Sequence, residues 1–322
     1  SALRYAASYA AFLARACAEI SARHVVRRYD VVYVHTMPDL MVMVGLLARA
    51  LGAKIVLDVH DTMPELYQSK FDLNERHPLV AALKLSERLS CAFAHRVIAV
   101  HEPHRDLLVR RGVDAAKISV VMNLPDPAVF GEPAQGAAAD GPLRVVYHGT
   151  MARRLGLDLA VRAFAQVAAD FPESRFDIYG TGDFAQQVEA CIDATGQSER
   201  IGFANQRFAV QDVPRLLAGA TLGVVPNRRD SATEIMLPVK LLEYAHLGIP
   251  VVAPRLAAVQ HYFSDAAVTY FEPGEVASLA QAMRRLVASP ELRAEQRAQG
   301  LAFAVKHTWQ NMQNELFKAV DG

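Results

Sequence analysis

Several features that mark specialised classes of protein are scarce or missing in this 322-residue sequence. Its three cysteines, Cys17, Cys91 and Cys191, are scattered without metal-ligand spacing, which predicts reduced thiols and a cytoplasmic protein. Lysine plus arginine and aspartate plus glutamate each total 34, and the resulting net charge of zero argues against a dedicated nucleic-acid binder. Because the sequence has neither an apolar run of about eighteen residues nor a leader pattern, we expect no membrane span and no signal peptide.

Sequence motifs of several enzyme classes are missing as well. Neither a Walker A motif nor GxGxxG occurs, which disfavours a nucleoside triphosphatase and a dehydrogenase. GxSxG is missing and no cysteine lies near a turn, so nothing indicates a covalent nucleophile. The segment HDTMPE lacks the paired histidines of a zinc-binding helix, and we therefore expect no metal site.

What the sequence does contain is a repeated alternation of short apolar runs and helical patterns. Apolar residues make up 52% and charged residues 21%, which is a globular composition, and the length favours two domains. Near-continuous Val/Ile runs predict parallel strands that are covered on both faces. The predicted strands are 31–34, 54–59, 96–100 and 118–121 in the first half, and 143–148, 175–179, 200–203, 222–226 and 251–254 in the second.

The predicted helices and linker complete this organisation. Helices are expected over 3–28, 290–300 and 307–319, and the Gly/Ala/Pro-rich segment 131–141 predicts a linker. Repeated βα units predict an α/β protein with a doubly wound sheet in each half, whose ligands bind at the carboxyl ends of the strands. The default site is then the cleft between the halves. Because the chain opens on a helix, we expect the first βα unit of the first half to be missing.

The segment 234–254, EIMLPVKLLEYAHLGIPVVAP, predicts an anion-binding helix start. Pro238 is expected at the first helical position and Gly248 just past the end of the helix. The N–H groups at that start, with neighbouring Lys240, would bind phosphate, and Glu243 would accept hydrogen bonds from ligand hydroxyls. Phosphate together with a sugar diol indicates a nucleotide or a nucleotide-sugar. The alternative is an ordinary αβ unit in which Glu243 pairs with a cation and Lys240 is solvated.

Two glycine-containing turns follow predicted strands in the same half. Gly149 would let the backbone approach a phosphate, whose charge Arg153 and Arg154 would neutralise. Gly180 and Gly182 form a second turn of this kind. The alternative is that both turns are structural and the arginines are solvated.

Titratable residues crowd the end of predicted strand 54–59 in the first half. Asp58, His60, Asp61 and Glu65 lie there, and His60 is a candidate donor of a hydrogen bond or a proton to a reacting group. The alternative is a histidine that only fixes its loop. The nearby segment 101–105, HEPHR, is expected to be solvated surface.

The chain contains, in this order, the segments VVYVHTMPD, VLDVHDTMPELYQSKF, VVYHGT, FDIYGTGD, LGVVPN and PVKLLEYAHLGIPVVAP. In their order and spacing these segments resemble those of GT-B fold glycosyltransferases, and they are most similar to family 4. The resemblance implies two doubly wound Rossmann-like domains facing across a cleft. It places an acceptor-side domain at 1–137, a nucleotide-sugar domain at 138–305, and a C-terminal helix at 306–322 that packs back on the first domain.

The resemblance also implies an activity. A hexose-type sugar would move, with retention at the anomeric carbon, from a UDP- or GDP-linked donor to a glycan or lipid-linked acceptor in polysaccharide or glycoconjugate synthesis. No metal or other cofactor is implied. Members of the family usually carry a further N-terminal segment that begins with a strand and a glycine-rich loop, in line with the missing βα unit.

Individual residues match the family pattern to different degrees. Glu243 matches the acid that binds the nucleotide ribose, Gly149 and Arg154 match the glycine and cation near the diphosphate, and His60 matches a histidine that contacts the transferred sugar. The family's other acid stands eight residues before the first, where this sequence has Ile235. Glu234, one residue earlier, is the candidate for its catalytic role alongside His60. The usual Lys-Gly pair after the cation reads Leu155-Gly156.

Two alternatives remain open at this level. The protein could be a nucleotide-sugar epimerase of the same fold, or a non-catalytic partner that binds nucleotide-sugar in an assembly complex. Helix 3–28 combines an aromatic face with five arginines, so it is a candidate for peripheral contact with the inner face of a membrane. It could equally be an ordinary helix packed on the sheet.

Overall fold

A computed structural model describes residues 2–132 and 143–321 and divides the chain into two compact units. The first unit runs to Met122 and resumes at Gln310, and the second spans Asn123–Trp309. Most of the predicted linker 131–141, with the boundary between residues 137 and 138, falls outside the described residues. The side chains of residues 2–6, Arg4 among them, also lie outside the description.

Strands and helices alternate along the described chain. The strands are β1 Val31–His35, β2 Lys54–Val59, β3 Arg96–Ala99, β4 Ile118–Val120, β5 Arg144–His148, β6 Arg175–Gly180, β7 Ile201–Asn205, β8 Leu222–Val224, β9 Val251–Pro254 and β10 Thr269–Phe271. The helices are α1 Ala2–Val26, α2 Leu46–Ala50, α3 Met63–Phe71, α4 Pro78–Phe93, α5 Glu102–Arg110, α6 Pro127–Phe130, α7 Leu157–Ala168, α8 Ala185–Thr195, α9 Val213–Leu217, α10 Val239–His246, α11 Ala257–Tyr262, α12 Val276–Ala288, α13 Pro290–Lys306 and α14 Trp309–Asp321.

The first unit is built on a parallel sheet with the strand order β1-β2-β3-β4. Successive strand residues face opposite sides, so Ile55 and Val97 join one apolar cluster whereas Val56 and Ile98 join another. Ala319 of α14 packs into the second cluster, and Lys54 Nζ donates to the carbonyl of Val320 at 3.0 Å. The last helix therefore covers one face of the sheet, and burial on both faces explains the near-continuous apolar runs.

The second unit contains a parallel sheet with the order β10-β9-β8-β5-β6-β7. The chain winds outward from β5 to β7 and then returns to β8 and winds the other way to β10. Neighbours β5 and β8 therefore form the topological switch point, at whose carboxyl end such sheets bind their ligands. The prediction of two parallel-sheet α/β domains is confirmed.

Each predicted strand is present, and the differences from the predicted elements have local causes. Strand β10 was not predicted, because three residues, TYF, are too short a run for periodicity to identify. Helix α13 continues to Lys306 rather than ending at Gly300. A side chain at Gly300 would lie 3.3 Å from Ala245 Cα, so this glycine permits close packing of α13 on α10 instead of terminating the helix. No helix in the described part of the chain is long and apolar enough to cross a bilayer.

Candidate functional site

The loops after β5 and β6 form one backbone-linked surface at the carboxyl end of the second sheet. Gly149, with φ +112°, donates from its N–H to the carbonyl of Tyr179 at 2.9 Å, and Met151 donates to Thr181 at 2.9 Å. A Cβ at Gly180 would lie 1.9 Å from the Gly149 carbonyl oxygen, and one at Gly182 would lie 2.0 Å from that of Met151. Both glycines are therefore required for the two loops to pack together. This agrees with the alternative that the second glycine turn has a structural role. Their contact with phosphate stays a prediction.

Glu243 lies against the end of β5. Its Oε2 is 2.5 Å from Nε2 of His148, the last residue of that strand. Because a carboxylate only accepts, Nε2 carries the donated proton. The other ring nitrogen of His148 is 3.1 Å from the hydroxyl of buried Tyr244, which also lies 3.3 Å from the carbonyl of Val146. Glu243 thus has the partner that the alternative interpretation anticipated, although that partner is a histidine which the sequence did not single out.

Two cations lie near Tyr147 at the end of β5. The Lys240 ammonium lies 4.6 Å from the centre of the Tyr147 ring, and a Cβ at Gly149 would be 3.7 Å from Nζ. Lys240 is therefore at the Gly149 turn. Burial outweighs the opposing effect of Glu243 and, together with the charge of Arg154, lowers the pKa of Lys240 to about 8. Arg154 Nε is buried and has no hydrogen-bond partner among the described residues.

The remaining predicted residues of this unit lie around these groups. Pro238 is the N-cap of α10 rather than its first helical residue, because its extended backbone (ψ 123°) places its carbonyl to accept from the Leu241 N–H at 2.9 Å. The prediction was wrong by one position. Gly248 follows the helix with φ +62°, as expected. The Arg153 side chain is exposed, and its carbonyl accepts from Arg228 at 2.7 Å.

Glu234 is held at the start of α11. One carboxylate oxygen lies 2.7 Å from Arg229 Nη1, and the other accepts the N–H of Ala257 at 3.0 Å. Carboxylates at a helix N-terminus are stabilised by its unpaired N–H groups. Both oxygens of Glu234 therefore have protein partners, and its contact with a sugar stays a prediction.

In the first unit, His60 joins a cluster at the ends of β1 and β2. Its Nε2 lies 3.3 Å from Asp58 Oδ2 and 2.8 Å from His35 Nδ1. Tyr33 donates to Asp58 Oδ2 at 2.6 Å. The hydrogen bond to Asp58 raises the pKa of His60. Burial favours a higher pKa for Asp58, but the hydrogen bonds from His60 and Tyr33 outweigh it and lower that pKa.

The other titratable residues predicted near His60 have different surroundings. Asp61 is exposed, whereas buried Glu65 pairs with Arg111, which also binds Glu87. The expectation that 101–105 is solvated was wrong for both of its histidines, which are 4% and 2% exposed. His101 caps α5 by accepting the N–H of His104 at 3.1 Å, and burial lowers the pKa of His104 to about 3.

Residues 2–123 match the family described as glycosyl transferase 4-like domain, and residues 142–289 match the family described as glycosyl transferases group 1. The chain belongs to the glycosyltransferases.

Curated relatives of this glycosyltransferase include two proteins of Streptomyces kanamyceticus. Alpha-D-kanosaminyltransferase is 26% identical over 262 residues, which cover 77% of this chain and 65% of the relative. The 2-deoxystreptamine glucosyltransferase is 25% identical over 307 residues, which cover 86% and 74%. The chain thus spans slightly less than two thirds of the length of the first relative.

Solved structures similar to this glycosyltransferase have the GT-B fold. Sucrose-phosphate synthase from Thermosynechococcus elongatus superposes with a TM-score of 0.75 at 19% identity, covering 95% of this chain and 76% of that one. HepE from Anabaena, in complex with UDP, gives a TM-score of 0.74 at 16% identity, covering 96% and 81%. At these identities the likeness shows the fold, and the predicted GT-B architecture is confirmed.

Proposed function

We propose that this glycosyltransferase moves a hexose-type sugar from a nucleoside diphosphate donor to a glycan or lipid-linked acceptor, with retention at the anomeric carbon. The observation that supports it best is the grouping of Gly149, Lys240 and Glu243 at the switch point of the second sheet. A left-handed glycine and a lysine suit a diphosphate, and a carboxylate suits the hydroxyls of a ribose. HepE, which shares the fold, was crystallised with UDP, and UDP is accordingly the first nucleotide to test.

Each group has a chemical task in this proposal. Lys240, Arg154 and the first N–H groups of α10 stabilise negative charge on the departing diphosphate, a role that a metal ion plays in other transferases. Gly180 and Gly182 keep the second loop against the first. His60 and Glu234 act on the transferred sugar, and Arg153 adds positive charge near the phosphates.

A panel of nucleotides and nucleotide-sugars tests the proposal. We expect UDP or GDP, and the matching sugar donor, to raise the melting temperature, since a ligand that binds only the folded state stabilises it. Adenosine diphosphate, presented at the same concentration, is the control for unspecific phosphate binding. A melting temperature that responds equally to every diphosphate, or to none, would contradict a nucleotide-sugar site.

Donor affinity is expected to fall as the pH rises through about 8. Lys240, whose pKa is lowered to about 8, is charged below that pH and neutral above it. If the charged form alone binds, affinity for UDP falls about tenfold for each pH unit above the pKa. Calorimetric titrations with UDP between pH 7 and 9.5 measure the slope. The variant Lys240→Arg stays charged throughout and should give a flat profile, so an unchanged slope in it would assign the titration to another group.

Replacing His60 with alanine is expected to reduce turnover by at least about tenfold while leaving UDP affinity unchanged. The imidazole acts on the reacting sugar in this proposal and makes no contact with the nucleotide, so its loss falls on kcat. The measurements are steady-state transfer and calorimetry with UDP. His261→Ala, at an exposed position in the second unit, is the matched control. Unaltered transfer by His60→Ala would remove this residue from the site.

A lipid-linked acceptor predicts binding to anionic vesicles through α1. On this helix Phe12 is 51% exposed and Arg15 is exposed as well, and exposed Arg27 directly follows the helix. Apolar insertion and attraction to anionic lipid both favour an interfacial position. Sedimentation with phosphatidylserine vesicles should pellet the protein, and Phe12→Asp should release it. Equal sedimentation with neutral vesicles, or by the variant, would favour a glycan acceptor in solution.

A second candidate function is binding without transfer. The observation that favours it is that both carboxylate oxygens of Glu234 have protein partners. A product assay with each stabilising nucleotide-sugar separates the possibilities. Released nucleotide indicates transfer or hydrolysis, an altered sugar on intact donor indicates an epimerase, and unchanged donor indicates a binding partner.

A further inference from the structure

Three potential metal-ligand atoms converge at the carboxyl ends of β1 and β2. The parallel register pairs His35 with Asp58, and His60 lies two residues further on, facing the same side as Asp58. The distances are 2.8 Å between His35 Nδ1 and His60 Nε2, and 3.3 Å from each of these nitrogens to Asp58 Oδ2. Among the described His, Cys, Asp and Glu side chains, these three lie close enough together to hold a metal ion.

The triangle has the dimensions of one face of a coordination shell. A point about 1 Å above its plane lies roughly 2.1 Å from all three atoms, which is the usual zinc–nitrogen and zinc–oxygen distance. Each nitrogen lies close to both the other nitrogen and the carboxylate oxygen, so the three atoms form a compact triangle rather than a single donor–acceptor pair.

The surroundings suit a bound cation with an open position. Tyr33 donates to Asp58 Oδ2 at 2.6 Å and fixes the carboxylate, as outer partners of metal ligands do. The side chains of His35 and His60 are 59% and 38% exposed, so water can complete the shell. Two imidazoles and one carboxylate are a ligand set that zinc accepts with a fourth position left for water or substrate.

We propose that His35, Asp58 and His60 form a zinc-binding site. The sequence alone predicts no such site, because its ligands come from two strands rather than from one helix with paired histidines. The proposal uses His60, which the proposed function places at the transferred sugar. Because a zinc ion and a sugar would compete for that side chain, zinc is expected to bind in the absence of donor and acceptor, and the test uses neither.

Calorimetric titration of the metal-stripped chain with Zn²⁺ tests the site directly. One zinc ion per chain is expected to bind and to raise the melting temperature. Tyr33→Phe keeps the three ligands and removes only the hydrogen bond to Asp58, which should weaken binding by about tenfold. His35→Ala removes a ligand at an exposed position and should weaken binding by more than about 100-fold, beyond the effect of an outer partner.

The control variant is His261→Ala, which removes an exposed histidine from the second unit and should bind zinc as the unchanged chain does. Failure of the unchanged chain to bind zinc would overturn the proposal. Binding that His35→Ala and Tyr33→Phe leave intact would overturn it too, since the metal would then occupy other surface groups. Cobalt substitution, followed by its visible absorption, reports whether the bound ion is four-coordinate.

Discussion

Replacing Arg111 with alanine is expected to lower the free energy of unfolding of the first unit by about 3–5 kcal/mol. Arg111 Nη1 lies 3.0 and 2.9 Å from the two carboxylate oxygens of Glu87, and Nη2 bonds to Glu65. Glu87 and Glu65 are 2% and 8% exposed. Without the guanidinium, two buried carboxylates lose their cation and must either remain charged in a poorly solvated place or take up protons.

Urea unfolding followed by circular dichroism measures this loss, with each transition analysed separately because a two-unit chain need not unfold in one step. Arg105→Ala is the control: this arginine lies on α5 with Glu102 and Asp106 at 3.5 and 3.6 Å, in a partly exposed place. Its loss should cost between about 0 and 1 kcal/mol. A similarly small loss of stability in Arg111→Ala would show that the carboxylates of Glu65 and Glu87 become hydrated in the variant.

A rescue experiment separates lost pairing from lost packing. Adding Glu65→Gln and Glu87→Gln to Arg111→Met removes all three charges while keeping similar volumes, and such replacements of buried ion groups are often near neutral. Recovery of most of the lost stability is therefore expected. If the triple variant is as unstable as Arg111→Ala, the loss comes from packing around the arginine stem.

The fold was largely predictable because its signals are local. Strands β1, β2, β3, β5 and β9 are dominated by apolar runs, and glycine or proline marks most of the turns that follow. Strand β10 escaped because it has three residues, and Gly300 was misread as a helix end because its packing partner, Ala245, is remote in sequence. The first error comes from a local signal that is too short, and the second from a tertiary contact that overrides a local preference.

The sequence predicts which residues lie near one another in the candidate site, but not which side chains form hydrogen bonds or ion pairs with each other. Residues after strands in a parallel sheet meet at one edge, so Gly149 and Lys240 could be grouped without a structure. The partnership of Glu243 with His148 spans 95 residues, and that of Arg111 with Glu65 spans 46. No local pattern specifies such pairs. The same limit applies to His35, whose proximity to Asp58 depends on the register between β1 and β2.

Replacing Glu243 with alanine is expected to weaken UDP binding by between tenfold and about 100-fold. A hydrogen bond to a charged group contributes about 1.5–3 kcal/mol, and each 1.4 kcal/mol is a factor of ten. His148 holds the carboxylate through one oxygen, at 2.5 Å, which leaves the other oxygen for a ribose hydroxyl. Calorimetry with UDP measures the change, and Glu189→Ala, an exposed position on α8, is the matched surface control.

Deoxyribose analogues make the test specific to the hydroxyls. The unchanged enzyme should prefer UDP over its 2′-deoxy or 3′-deoxy form, because a carboxylate left without its donor forfeits a charge-assisted bond. In Glu243→Ala that preference should vanish, and the coupling between residue and hydroxyl follows from the double-mutant cycle. His148→Asn, which frees the carboxylate from its histidine, should keep the preference but weaken it. A general disturbance of the loop would weaken the binding of all three nucleotides equally and leave the preference for UDP intact. Retention of the full preference in Glu243→Ala would therefore place the ribose elsewhere.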